Sequence, residues 1–281
     1  MSTNAIVNIK NASIDRVNFS EAKRNKSGGL GVSMRYDGQN LQLRLPRMGF
    51  PGGLMSREDD KTGVVNYSLI GSLKGCDPYA KIRSVETNDM ALLYNFILDL
   101  QEKLVKVATE NSVRWFGKKR SEESIRDGFR NILSTSVDKV DGEYVPNGKY
   151  PPSLRVKVPV YDGRVSMDAI DNTGNPIYLT PDSLTSVFPK GVESNLVVSG
   201  SIYIIGQGFG ITWRISYAQV FPQSRLTAAS VFKDEVDDEE EAGEEEVAAE
   251  QEGTPVEVAA PIEQVPQQVA PKGRRRVAVP A

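Results

Sequence analysis

The residues of this chain best equipped for chemistry are cations that sit beside rings. In RWFGKKR (114–120), Arg114, Lys118, Lys119 and Arg120 flank Trp115 and Phe116. In SLRVKVPVY (153–161), Arg155 and Lys157 alternate with apolar residues and the run closes on Tyr161. In GSIYIIGQGFGITWRISYAQVF (200–221), Tyr203, Trp213 and Arg214 lie around a glycine-rich turn. A cation can pair with a phosphate oxygen and a ring face can stack on a base, which is the combination that holds an unpaired nucleic-acid strand. The same residues have a plainer use, with rings in the core and cations in water. Both uses stay open for Trp115 and Phe116. In the last run, Phe209, Ile211, Trp213, Ile215 and Tyr217 share one side of a strand. Trp213 therefore reads as core, and Arg214, on the other side, as the ligand contact. The side on which Tyr203 falls depends on strand register, which spacing alone does not supply.

Other chemistry has less to stand on. The chain has no histidine and a single cysteine, Cys76. Ser-His-Asp catalysis, histidine zinc sites and an internal disulfide are thereby excluded. The glycines of GGLG (28–31) and GQGFG (206–210) are not followed by a helix opening on Lys-Ser/Thr, so they read as tight turns rather than phosphate loops. Asp59/Asp60 and Asp168/Asp171 lack a third ligand in any motif and read as solvated loop acids. We expect no enzyme, no cofactor and no bound metal.

Charge is distributed unevenly. Residues 1–233 carry 30 basic and 23 acidic residues, a net of +7, and residues 234–281 carry 4 basic and 14 acidic, a net of −10. A basic body followed by an acidic tail favours a polyanionic partner for the body. The tail has no aromatic residue and is rich in Glu, Pro, Gln and Ala, so it is expected to be disordered. It also holds a basic cluster, Lys272 and Arg274 to Arg276. No apolar run of about 20 residues is present to span a membrane, and no N-terminal run reads as a signal peptide. The expectation is an intracellular protein without a membrane partner.

The elements that must position the cations are mostly short strands. GLGVSMRY and LQLRLP alternate on either side of DGQN, a hairpin pattern, with Arg35, Arg44 and Arg47 opposite the apolar side. VVNYSLIGSL, SLRVKVPVY and the 200–221 run add further strands, with Pro159 pointing to an edge strand or a bulge. NDMALLYNFILDLQEKLVKVATEN repeats its apolar residues at helical spacing and predicts a long amphipathic helix over about 88–110. SEESIRDGFRNIL predicts a second helix over 121–133 with Ser121 or Ser124 as its cap. The fold class expected is mainly β with inserted helices (α+β), a partly open barrel of the oligonucleotide-binding (OB) kind, as a single body over 1–233 with a tail over 234–281.

WFGKK (115–119), SIRDGFRNIL, GKYPPSLRVKVPVYDGRV (148–165) and SGSIYIIGQGFGITWRISYAQV (199–220) together resemble the single-stranded DNA-binding proteins of nucleo-cytoplasmic large DNA viruses. The resemblance covers roughly residues 85–222. It implies an OB fold, sequence-independent binding of single-stranded DNA in viral replication, recombination or repair, and no catalysis. It also implies a place in the host cytoplasm or nucleus and an acidic tail that engages replication proteins. A second class stays open, a virion-associated structural or adaptor protein that uses barrel and tail for protein contacts, and so does a homo-oligomer. If the acidic run Asp234 to Glu252 competes with phosphates for the body's cations, truncation after Lys233 should tighten DNA binding. The gain should be largest at low salt, where screening is weakest. Equal affinities of the full and truncated chains at low salt would sink that expectation.

Overall fold

The computed structural model describes residues 4–25, 28–60 and 62–222. The 234–281 tail, with its expected disorder, lies outside the described residues. Nine strands and three helices carry the architecture: β1 (Asn4–Asn8), β2 (Leu30–Tyr36), β3 (Gln39–Arg44), β4 (Leu54–Glu58), β5 (Val65–Ser72), α1 (Asp89–Glu110), α2 (Ser112–Phe116), α3 (Glu122–Gly128), β6 (Ser153–Val158), β7 (Asp168–Ile170), β8 (Val192–Ile205) and β9 (Gly208–Phe221). Shorter strands flank them.

The main sheet runs in the order β1-β3-β2-β8-β9-β6-β5-β4, with β7 paired to β9. Its two ends, β1 and β4, do not pair with each other, so the sheet is not closed. The protein is therefore mainly β with inserted helices, an open OB-like arrangement. Most neighbours are antiparallel; β1 with β3, β6 with β9 and β7 with β9 are parallel.

Alternation sets the inner face. Val32, Met34 and Tyr36 of β2, Leu41 and Leu43 of β3, and Leu154, Val156 and Val158 of β6 are all buried. Helix α1 opens on Asn88, whose side chain accepts the Ala91 N–H at 2.9 Å. Its apolar stripe, from Leu93 and Ile97 to Leu100 and Leu104, is wholly buried in the same continuous core as the strands. Burying each such side chain contributes about 1.5–3 kcal/mol. Cys76 is buried and free, and burial pushes its thiol pKa up. Among the described residues no helix is long and apolar enough to cross a membrane, and no cluster of three or more His, Cys, Asp or Glu residues could hold a metal ion.

Three details differ from the sequence reading. The second helix ends at Gly128, not near residue 133. Phe129 leaves the helix in extended geometry, the Arg130 N–H donates to the Phe209 carbonyl at 2.8 Å, and the Ile132 N–H donates to Gln101 Oε1 at 2.8 Å. Pairing to β9 and α1 thus replaces the remainder of the expected helix. Strand β6 is central, between β9 and β5, rather than an edge; Pro159 lies just past its end, where no ladder bond is lost. Finally, the register of β8 and β9 shifts between Val197 and Val198. This bulge reverses the parity of β9 beyond Ile215. Tyr217, expected beside Trp213 on the inner side, is exposed, and Ala218 and Val220 are buried in its place.

Candidate nucleic-acid interface

The outer face of the sheet is built by the residues that alternate against the core. In β6, Arg155 and Lys157 face outward between the buried Leu154, Val156 and Val158. In β9, Arg214 lies between the buried Trp213 and Ile215. The single Cα pairing that joins these two parallel strands is Lys157 with Arg214. Three cations from two distant segments are thereby set side by side on one surface.

The next strand fixes their surroundings. Ser201 of β8 pairs with Thr212, and its Oγ accepts a hydrogen bond from Arg214 Nη1 at 2.8 Å. Register also settles Tyr203, which pairs with Gly210 and therefore faces outward with Ser201. A Cβ on Gly210 would stand 2.7 Å from the Tyr203 Oη and 3.1 Å from the Arg130 Cβ. Glycine at 210 is what lets the Tyr203 ring lie close against the strand backbone beside Arg130.

These residues line a groove made of three adjoining hollows of about 350, 430 and 370 Å³. The first lies between Lys23, Arg35, Tyr203 and Arg214. Tyr203 and Thr212 continue into the middle hollow, which adds Arg130, Arg155 and Lys157. Arg155 and Lys157 then continue into the third, beside Arg57, Asn66 and Ser68. The groove crosses β2, β8, β9, β6 and β5, four strand spacings or about 19 Å. Its third hollow also carries the acids Glu58, Asp59 and Asp60.

The cations at the centre of the groove are not neutralised by neighbouring carboxylates among the described residues. Salt bridges elsewhere tie Lys10 to Asp89, Arg47 to Glu193, Arg126 to Glu102 and Lys149 to Asp138 at 2.7–3.1 Å, and tie Arg16 to Asp37 and Arg83 to Asp99. Among the described residues, Arg155, Lys157 and Arg214 join no salt bridge. Burial first, then repulsion from Arg214 and Arg155, pushes the Lys157 ammonium below the ordinary lysine pKa. Like charges held this close are costly in the free protein, and an anion laid across them relieves the cost.

The RWFGKKR run is placed differently. Trp115 is buried and meets Phe116 and Phe209 edge-on, with centroids 6.4 Å away in both cases. Phe116 and Phe129 close on the same Phe209 at 5.5 and 5.1 Å. Arg120 stacks over Phe116 at 5.0 Å, bonds Ser124, and donates from Nη1 to the Gln207 carbonyl at 3.0 Å. Here rings and guanidinium lock the α2–α3 connection to the β8–β9 turn. Lys118 and Lys119 are exposed but do not line the groove. Arg114 lines a separate hollow with Phe19, Glu21 and Val107, which adjoins the Lys23 end of the groove through Ser20 and Leu30. Tyr161 is exposed on a small hairpin of its own, Val160–Tyr161 with Arg164–Val165, and does not line the groove either.

Of the site residues read from the sequence, the structure brings Arg155, Lys157, Tyr203 and Arg214 to one surface, and it adds Lys23, Arg35, Arg57 and Arg130, which the sequence reading did not name among its site residues. Arg35 had a signal in the alternation of its hairpin. Arg130 had none, because only the pairing of residues 129–130 to Phe209 brings it to the groove.

No protein-family model matches the sequence, and no curated protein matches it. Among solved structures, the chain is similar to the single-stranded DNA-binding protein from bacteriophage Enc34 in complex with ssDNA, with 12% identity, TM-score 0.35, and coverage of 73% of this chain and 92% of that one. It is also similar to gp2.5, a single-stranded DNA-binding protein encoded by bacteriophage T7, with 12% identity, TM-score 0.37, and coverage of 73% and 97%.

Proposed function

We propose that the protein binds single-stranded DNA without sequence preference, along the groove on the outer face of its sheet. The observation that carries this reading is the triad Arg155, Lys157 and Arg214, in no salt bridge among the described residues and held together by strand register, with the Tyr203 ring beside it. Cations in a row take up successive phosphates, and a ring at their side offers a stacking face for a base. On this reading, binding rests on backbone charge and stacking. The basic net charge of residues 1–233 supports the same reading. The setting we attach is replication, recombination or repair of viral DNA, inside the host cell, with replication proteins as partners of the acidic tail. That setting rests on the motif resemblance alone.

Titration of an unstructured oligonucleotide over a series of salt concentrations tests the proposal. Each phosphate neutralised on a single strand contributes about −0.7 to the slope of log K against log salt, so the triad alone predicts a slope of about −2 or steeper. A flat response, or tighter binding of duplex than of single strand, would remove the reading.

A further inference from the structure

The long β8–β9 hairpin presents two unlike surfaces on one face. On the turn side of its bulge the face is polar and cationic. On the other side, around Val197 and Tyr217, it becomes apolar. Ile6 of β1 is 58% exposed, Tyr217 44% and Ile170 of β7 38%, and the three surround a shallow hollow of about 390 Å³. Gln42, itself buried, donates from Nε2 to Ser216 Oγ at 3.1 Å at the bulge between the two surfaces. The core of the fold is complete without these exposed side chains. Apolar residues gathered around one hollow mark contact with another molecule.

Two features identify that molecule. Arg44 and Asp168 also line the hollow, both exposed and neither in a salt bridge among the described residues. A patch that holds one unpaired cation and one unpaired anion is self-complementary, because a two-fold axis can bring each against its opposite on a second copy. A nucleic-acid strand would find one cation here, whereas the proposed groove gathers Arg155, Lys157, Arg130 and Arg214. The second feature is β1, the terminal strand of the sheet path, which pairs with β3 on one side only and has no charge in its sequence NAIVN. A bare edge of this kind is a template for association.

We propose that the protein forms a two-fold symmetric dimer through the apolar half of the β8–β9 face. Ile6, Ile170 and Tyr217 are buried at its centre, and Arg44 of each copy pairs with Asp168 of the other. The cationic groove lies beyond the bulge, so the dimer does not depend on the DNA-binding reading.

Sedimentation of the full chain from low to high micromolar concentration tests the proposal. The unaltered protein should pass from monomer to dimer, and Tyr217→Arg should remain a monomer. Arg44→Asp and Asp168→Arg should each be monomeric alone, yet associate when mixed, since each then offers the other opposite charges at both contacts. Circular dichroism establishes that each variant is folded. The proposal fails if the unaltered chain is monomeric throughout, if Tyr217→Arg still dimerises, or if the mixed charge variants stay apart. A monomeric chain whose oligonucleotide binding falls on Tyr217→Arg would assign the patch to the nucleic-acid strand instead.

Discussion

Replacing Arg155, Lys157 and Arg214 together by glutamine should nearly abolish binding of single-stranded DNA while leaving the protein folded. All three side chains point away from the core, and their strands keep the buried Leu154, Val156, Trp213 and Ile215. Loss of three phosphate contacts should reduce the salt slope by about 2, at about 0.7 per contact. Each charge-assisted hydrogen bond removed should weaken binding by about 1.5–3 kcal/mol. Lys157→Gln alone should weaken binding without lowering stability. Its ammonium is disfavoured by burial and by its two arginine neighbours, so its removal should hold or raise the melting temperature as affinity falls, a trade-off between function and stability. The pH dependence follows in sign. Phosphate favours charged Lys157, whereas the free protein holds its pKa below that of an ordinary lysine. Affinity should therefore begin to fall with rising pH before an ordinary lysine would titrate. Calorimetric titrations of the single and triple variants read all of these quantities, and a triple variant that binds like the unaltered protein would move the interface elsewhere.

Trp213→Ala should have the largest effect on stability, a loss of about 3–5 kcal/mol for a buried large ring. Trp213 is 3% exposed and lies opposite Gly200 in the β8–β9 ladder. A Cβ on Gly200 would approach the indole ring to 2.9 Å, so the strand opposite is already fitted to the ring. Its buried Nε1–H has no hydrogen-bond partner among the described residues. Trp213→Phe should therefore cost much less than Trp213→Ala, because the N–H it deletes is one the fold leaves unsatisfied. Denaturant unfolding of the two variants compares them. A Trp213→Ala protein that is fully stable but binds DNA weakly would make this ring a ligand contact rather than a core residue.

The sequence by itself determined what local periodicity can determine. Asn88 and the 3.6-residue stripe from Leu93 to Leu104 specified α1, and the DGQN turn with its alternating flanks specified the β2–β3 hairpin. Strict alternation in SLRVKV sent Arg155 and Lys157 outward, and the same rule put Trp213 inward and Arg214 outward. What only the tertiary structure decided were the facts that depend on which strands meet. Register placed Tyr203 opposite Gly210 and Lys157 beside Arg214, pairings between residues far apart in sequence that no window of a few residues can contain. A single extra residue at the β9 bulge turned Tyr217 out of the core, because strand parity has a period of two and one insertion reverses everything beyond it. The rings of Trp115 and Phe116 had two uses open in the sequence. The placement of Phe209 against them settled which one the fold employs, since burial is a property of neighbours that arrive from elsewhere in the chain.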